Sequence, residues 1–317
     1  MTHTGRLIPV LVVLGPTGAG KTALSVELAQ YIQGEIINQD SRQVYRGMDI
    51  GTAKPTADEQ ARTRHHGLDL VEPDHTWTMA QQQRMTYDTV ARLDGRGILP
   101  MLVGGTGQYL RAILEGWTVP EVPPQPEIRA RLEARAAAAG VSALHSHLAR
   151  TDPVAAARIM PGDLRRIVRA LEVWEVTGQP LSEQQRAEPP PYDVLVLGLS
   201  TPRDVLYARV NRRVKRMLES GLLEEISNLL DRGYGWTLPS MRTIGYGEFE
   251  PYFARTETME ACAERVRFNT HKFIRHQDVW FRRFDKVRWL DSCSNQLLDE
   301  ALELVRAWLP VRHRVEE

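Results

Sequence analysis

Apolar residues in this chain fall into short runs of strand length, separated by stretches with helical spacing. Residues 7–14 read LIPVLVVL, and Ala23, Leu24, Val26, Leu28 and Ala29 follow with a helix-like apolar rhythm. Residues 35–38 and 98–103 supply a second and a third strand, with helical spacing at 87–93 before the third and at 108–114 after it. Residues 193–199 read as another buried strand, and helices dominate from there on. Strand-like pieces alternating with helix-like pieces predict a parallel sheet joined by crossover helices.

The pattern breaks near Gly116. A Pro-rich connector at 119–126 leads into Ala-, Arg- and Leu-rich sequence running to about Thr177, whose clearest helices are 127–139 and 164–176. The second of these is stopped by Gly178, with Pro180 close behind. Another Pro-rich stretch, 189–191, returns the chain to the sheet. The expected architecture is an α/β fold: a P-loop parallel-sheet core with helices on both faces, made of 1–116 and 192–317, and a helical insertion domain, 117–191. Arg165 and Arg169, four apart, share a helix face and make a positive stripe there.

Composition narrows the picture. With 317 residues and 42% hydrophobic content the chain can bury a sizeable core and form about two domains. No apolar run approaches the roughly 20 residues of a membrane span, and the start MTHTGRLIPV lacks the long apolar region of a signal peptide, so a cytoplasmic protein is expected. Cys262 and Cys293 have no CxxC partners and suggest neither a disulfide framework nor a zinc site. Forty basic residues balance forty acidic ones. The balance is uneven locally: Arg203, Arg209, Arg212, Arg213, Lys215 and Arg216 crowd one stretch. A second stretch, 265–288, interleaves Arg and Lys with Phe268, Phe273, Trp280, Phe281 and Phe284. Such mixing suits phosphate contact with base stacking, and equally an amphipathic helix with its aromatics inside and its arginines in water.

Chemistry enters at the strand ends. Gly15-Pro16-Thr17-Gly18-Ala19-Gly20-Lys21-Thr22 fits the phosphate-binding loop G-x-x-x-x-G-K-[ST], placed as that loop requires between a buried strand and a helix N-terminus. Its N–H groups and the helix dipole attract an anion, Lys21 reaches the terminal phosphate, and the Thr22 hydroxyl suits Mg²⁺. Ligands of open α/β sheets bind beyond the carboxyl ends of the strands, which directs Asp40 and Thr106 toward the same crevice. Asp40 is either a base for an attacking nucleophile or a turn cap made with Ser41. Thr106, after two glycines, donates its hydroxyl and N–H to a phosphate or caps the helix that follows; the two are compatible. Arg213, four residues after Arg209, either neutralises a leaving diphosphate or is a solvated arginine. His65-His66 lacks metal-ligand partners and reads as structural or substrate-contacting.

Together these residues resemble the tRNA dimethylallyltransferase family, also called tRNA isopentenyltransferase. The resemblance is carried by GPTGAGKT at 15–22, DSRQVYRGMDIGTAKP at 40–55, LVGGTGQYLRAILEG at 102–116, DPVAAARI at 152–159, RALEVWEVTG at 169–178 and PSMRTIGYGE at 239–248. It implies transfer of a dimethylallyl group from dimethylallyl diphosphate to the exocyclic amine of the adenosine 3′ to the anticodon, with diphosphate released. Asp40, Thr106 and Arg213 are then catalytic, Gly15 to Thr22 bind diphosphate, and Thr22 holds Mg²⁺. The tRNA contacts implied are Asp40, Ser41, Arg42, Gln43, Thr106, Arg129, Arg165, Arg166, Arg169, Arg242, Thr243, Gly245, Tyr246, Arg275, Gln277, Trp280 and Arg282. Arg275-His276-Gln277 departs from the family's usual Lys-Arg-Gln, and the chain stops soon after Trp308 without the Cys/His extension of eukaryotic relatives, as in a bacterial-type enzyme. A monomer is expected. The competing readings are a P-loop small-molecule kinase, a transferase acting on free adenine nucleotides, and an RNA-binding protein without catalysis.

Overall fold

The computed structural model describes residues 6–120 and 122–309. Six parallel strands build the sheet: β1 (Ile8–Leu14), β2 (Gly34–Asn38), β3 (His65–His66), β4 (Leu99–Gly104), β5 (Tyr192–Ser200) and β6 (Arg288–Asp291), in the order β3-β2-β4-β1-β5-β6. β1 lies inside the sheet between β4 and β5, and Val10 to Leu14 are fully buried. That burial on both faces explains why β1 reads as a continuous apolar run instead of an alternating one.

Register positions the chemistry. Leu14 pairs with Gly104, and Asn38 with Val103. β1, β2 and β4 therefore end almost level, and the segments that leave them, residues 15–20, Gln39-Asp40 and Gly105-Thr106, emerge along one rim. The edge strands β3 and β6 were not expected from sequence. Two and four residues long and mostly polar, they carry no hydrophobic period, and pairing with β2 and β5 alone creates them.

The chain forms two compact units. The first holds the sheet, with the described residues up to Trp77, Gln81–Arg111 and the described residues from Pro191 on. Its later helices include Arg203–Glu219, Leu222–Asp231 and Met259–Phe281, whose inward residues join the same core as the strands. The second unit comprises Thr78–Ala80 and Ala112–Pro190 and has its own core of Leu132, Leu144, Leu148, Ile167 and Leu171. In it the buried Asp152 caps the Pro153–Arg158 helix through the Ala155 N–H at 2.9 Å and accepts the Ser182 hydroxyl at 2.6 Å. Among the described residues no helix is long and apolar enough to cross a membrane.

Candidate active site

The anion cradle grows out of β1. The Lys21–Ile32 helix begins after Gly20, whose φ of 94° only glycine adopts at low cost, and no side chain caps it. Its first-turn N–H groups, without intrahelical partners and at the positive end of the dipole, face outward as an anion site does. Lys21 folds over the loop, its Nζ donating to the Pro16 carbonyl at 3.0 Å. Desolvation lowers its pKa to about 8, opposed by the charge of Asp40 and aided by that of Arg213. Arg213 is likewise pushed down by burial and pulled back by Asp40. Three charges from three elements thus act on one another along the rim: Asp40 after β2, Lys21 after β1, and Arg213 from the Arg203–Glu219 helix.

Asp40 sits in a side-chain-closed turn. The Arg42 N–H donates to its Oδ1 at 2.8 Å, and its own N–H donates to Asn38 Oδ1 at 3.2 Å. The turn and the site charge are one feature, since the turn holds the carboxylate in the field of both cations. Arg209 shares a face with Arg213, as the spacing predicts, but is engaged otherwise: its guanidinium donates to the Gly18 carbonyl and to Ser292 Oγ, each at 3.3 Å. It braces the cradle from outside.

The structure puts several expected contacts to other uses. The Thr106 N–H donates to the Gln39 carbonyl at 3.4 Å, because β2 and β4 end side by side, so the hydroxyl is the group Thr106 can offer a ligand. Gln277 is buried, with its side-chain oxygen accepting the Thr17 N–H at 2.9 Å and its side-chain nitrogen donating to the Gly105 carbonyl at 3.0 Å. Gln43 donates to the carbonyls of Thr52 and Ala53, within its own loop. Thr243 and Tyr246 also point inward. The Tyr246 hydroxyl donates to Glu225 at 2.6 Å, and the same carboxylate accepts the N–H groups of Asp49, Ile50 and Gly51. Gly245 donates its N–H to the buried Glu248. Tyr246 and Gln277 satisfy polar groups of neighbouring loops and Thr243 the Ser240 carbonyl of its own turn, and these buried side chains offer an RNA almost no surface. Arg42, Arg242, Arg275 and Arg282 are exposed, while Ser41 and Trp280 are half-buried. Arg275 donates to Tyr207 Oη at 3.0 Å, and the Arg283 guanidinium lies 5.0 Å from the Trp280 ring centroid.

The Met259–Phe281 helix resolves the ambiguity of the basic-aromatic stretch by dividing it. Val266, Ile274 and Phe281 face the core, whereas Phe268 is 63% exposed and Phe273 41%, beside Lys272, Arg275 and His276. Apolar rings left in water among cations form a surface suited to stacked bases and phosphates.

In the second unit Arg129 and Arg169 converge on Glu172, which is fully buried. Arg165 is exposed, and Arg166 pairs with Asp163 at 3.4 Å. His65 and His66 are structural: they form β3, and His66 Nε2 lies 2.6 Å from a Glu35 carboxylate oxygen.

Sequence reading missed Tyr109. It is nearly buried, and burial raises its hydroxyl to about 12 in the field of Arg42 and Asp40. Its position three residues after Thr106, on the Gly107–Leu114 helix, was the available signal.

Comparison with known proteins identifies the family. The chain matches the family described as IPP transferase over residues 43–284 and that described as isopentenyl transferase over 8–72. It is 50% identical to the tRNA dimethylallyltransferase of a Roseiflexus species, covering 96% of this chain and 99% of that one, and 49% identical to that of Herpetosiphon aurantiacus, covering 93% and 94%. A tRNA isopentenylpyrophosphate transferase from Bacillus halodurans superposes with a TM-score of 0.71 at 37% identity, covering 95% of this chain and 96% of that one. A eukaryotic dimethylallyltransferase solved acting on tRNA gives 0.79 at 28%, covering 94% and 77%. The cradle, the rim carboxylate and these matches along nearly the whole chain make it a member of the IPP transferase family, the tRNA dimethylallyltransferases.

Proposed function

We propose that this protein transfers a dimethylallyl group from dimethylallyl diphosphate to N6 of the adenosine immediately 3′ to a tRNA anticodon. The observation that carries the reading is the phosphate loop leaving β1 for a helix with no side-chain cap, with Asp40 fixed in its turn at the end of β2 on the same rim, its charge acting on both Lys21 and Arg213. The loop N–H groups, Lys21 and Arg213 bind the diphosphate and stabilise the charge that grows on it as the carbon–oxygen bond to the allyl carbon breaks. The adenine N6 attacks that carbon, and its proton passes to the Asp40 carboxylate. Thr106 offers its hydroxyl to the same pocket, and Arg209 keeps the loop in shape.

A divalent cation fits here. Thr22 lies in the uncapped first turn of the helix, and a Mg²⁺ bound through substrate phosphate oxygens needs only one or two protein ligands. Thr22 would hold it, and when bound it offsets charge on the departing diphosphate.

The adenosine leaves its stack to reach this site, at a cost of a few kcal/mol that contacts elsewhere on the tRNA offset. Those contacts are assigned to Asp40, Ser41, Arg42, Thr106, Arg242, Arg275, Trp280 and Arg282 of the sheet unit and to Arg129, Arg165, Arg166 and Arg169 of the helical unit. Thr243, Tyr246, Gln43 and Gln277 shape the loops that carry them. The protein acts in the cytoplasm, as a monomer. The test is incubation with labelled dimethylallyl diphosphate and either bulk tRNA or AMP. Label in tRNA supports the reading. Label in AMP points to a free-nucleotide transferase, and phosphate transfer from ATP with no allyl transfer points to a kinase.

A further inference from the structure

Gln277 lies in the buried stripe of the Met259–Phe281 helix, a stripe of Cys262, Ala263, Val266, Thr270, Ile274, Gln277 and Phe281. A glutamine in such a place needs a partner for each end of its amide, since an unpaired buried polar group costs about 1–3 kcal/mol. Both partners are backbone groups of the active-site rim. The side-chain oxygen takes the Thr17 N–H inside the phosphate loop, and the side-chain nitrogen reaches the carbonyl of Gly105, the residue before Thr106. One amide therefore joins the loop after β1 to the loop after β4. The fit is close, for a Cβ on Gly105 would stand 2.4 Å from the Gln277 side-chain nitrogen and would push that nitrogen out of its present position.

The helix that carries Gln277 is itself fixed. Tyr207 of the Arg203–Glu219 helix stacks on His271 with centroids 3.9 Å apart and accepts from Arg275, and Arg203 lies 3.6 Å from Asp278. Trp280 packs against Gly107 on the other side. The helix bearing Arg213 and the two loops bearing Lys21 and Thr106 are thus all referred to one rod, whose outer face carries the exposed Phe268, Lys272, Phe273 and His276.

We infer that Gln277 is a positioning residue: it sets the Thr17 peptide of the diphosphate cradle and the Gly105-Thr106 peptide at one fixed separation, acting on the reaction through these two loops. The inference rests on the transferase reading above. Gln277→Met keeps the volume and removes both bonds. Gln277→Glu keeps the acceptor for Thr17 but offers the Gly105 carbonyl a hydrogen only when protonated. Binding of inorganic pyrophosphate at fixed pH, kcat and KM for dimethylallyl diphosphate, tRNA affinity and melting temperature are measured on both.

For Gln277→Met, pyrophosphate affinity and kcat should each fall about ten-fold or more, with tRNA affinity within about two-fold of wild type. The activity of Gln277→Glu relative to wild type should recover as pH falls from about 8 to about 5.5, while that of Gln277→Met stays flat. Wild-type pyrophosphate affinity and kcat in both variants would overturn the inference, as would a deficit confined to melting temperature and tRNA affinity. Should Gln277→Met fail to fold, the recovery of Gln277→Glu with acid decides alone. Pyrophosphate binding is scored even if wild type transfers nothing to tRNA, an outcome that would defeat the functional reading and leave this one to be judged.

Discussion

Arg129 grips Glu172 with two nitrogens, Nε at 2.7 Å and a terminal nitrogen at 3.0 Å, although Glu172 has no exposed surface and Arg129 is 39% exposed. Burial alone would raise this carboxyl, but hydrogen bonds from Arg129, the Gln125 N–H and Arg169 outweigh it and hold the pKa below the usual range. Two arginines expected to meet tRNA therefore also hold the helical unit together. Glu172→Ala should destabilise the chain by about 2–4 kcal/mol, because it leaves the Gln125 N–H and two guanidinium groups unmatched. A carboxyl depressed in the folded state contributes stability above its unfolded pKa and loses it as pH falls through the folded value, so Glu172→Gln should flatten the acid side of the stability profile. Urea unfolding across the acid range checks both, and a wild-type profile in Glu172→Gln would contradict the assignment.

Lys21 makes a pH prediction of opposite origin. Its folded pKa of about 8 lies below the ordinary 10.5, so between these values the unfolded chain binds more protons and stability of the free protein rises with pH. The diphosphate binds the protonated form. Affinity for a non-hydrolysable dimethylallyl diphosphate analogue should therefore fall as pH rises through about 8, and Lys21→Arg, which stays charged, should remove that fall. Parallel calorimetric titrations of the two proteins from about pH 7 to about 9.5 measure it. Identical pH dependence in both would detach Lys21 from the diphosphate.

Much of this was legible in the sequence, and the parts that were not share a cause. Residues 7–14, 35–38 and 98–103 announce strands because both faces are buried, and GPTGAGKT announces its cradle because the backbone needs glycine there. Asp40 and Thr106 follow from the rule that ligands gather at strand ends. His65-His66 and Arg288–Asp291 become strands only through neighbours remote in sequence. The direction of side chains was the larger blind spot. Gln277 and Tyr246 stand in motifs that the resemblance ties to tRNA, yet their partners, Thr17, Gly105 and Glu225, are distant in the chain and turn them inward. Arg169 shares a face with Arg165 as the spacing predicts, and the i,i+3 spacing to Glu172 was a local signal that this carboxylate would claim it.

That distinction sharpens the tRNA prediction. Arg165 and Arg166 are exposed and can be replaced without touching Glu172, so Arg165→Gln with Arg166→Gln should weaken tRNA binding with little loss of stability. The slope of log affinity against log salt should become shallower by about one for each phosphate contact removed. Arg275→Gln with Arg282→Gln should do the same from the other unit, and affinity for the diphosphate analogue should change far less than tRNA affinity, since Arg275 also braces the Gln277 helix through Tyr207. Filter binding over a salt series reads these slopes, and unchanged slopes in both double variants would remove these faces from the interface.

The central claim is that Asp40 accepts the N6 proton while the cradle holds the diphosphate. The direct measurement is single-turnover transfer at saturating tRNA and dimethylallyl diphosphate by wild type and Asp40→Asn, with the modified nucleoside located by nuclease digestion and mass spectrometry. Wild type should place the dimethylallyl group on N6 of the adenosine 3′ to the anticodon. Asp40→Asn should do so about 10²- to 10⁴-fold more slowly with tRNA affinity nearly intact, the range a general base supplies. Transfer by Asp40→Asn at the wild-type rate, or modification of another nucleotide by wild type, would contradict the account.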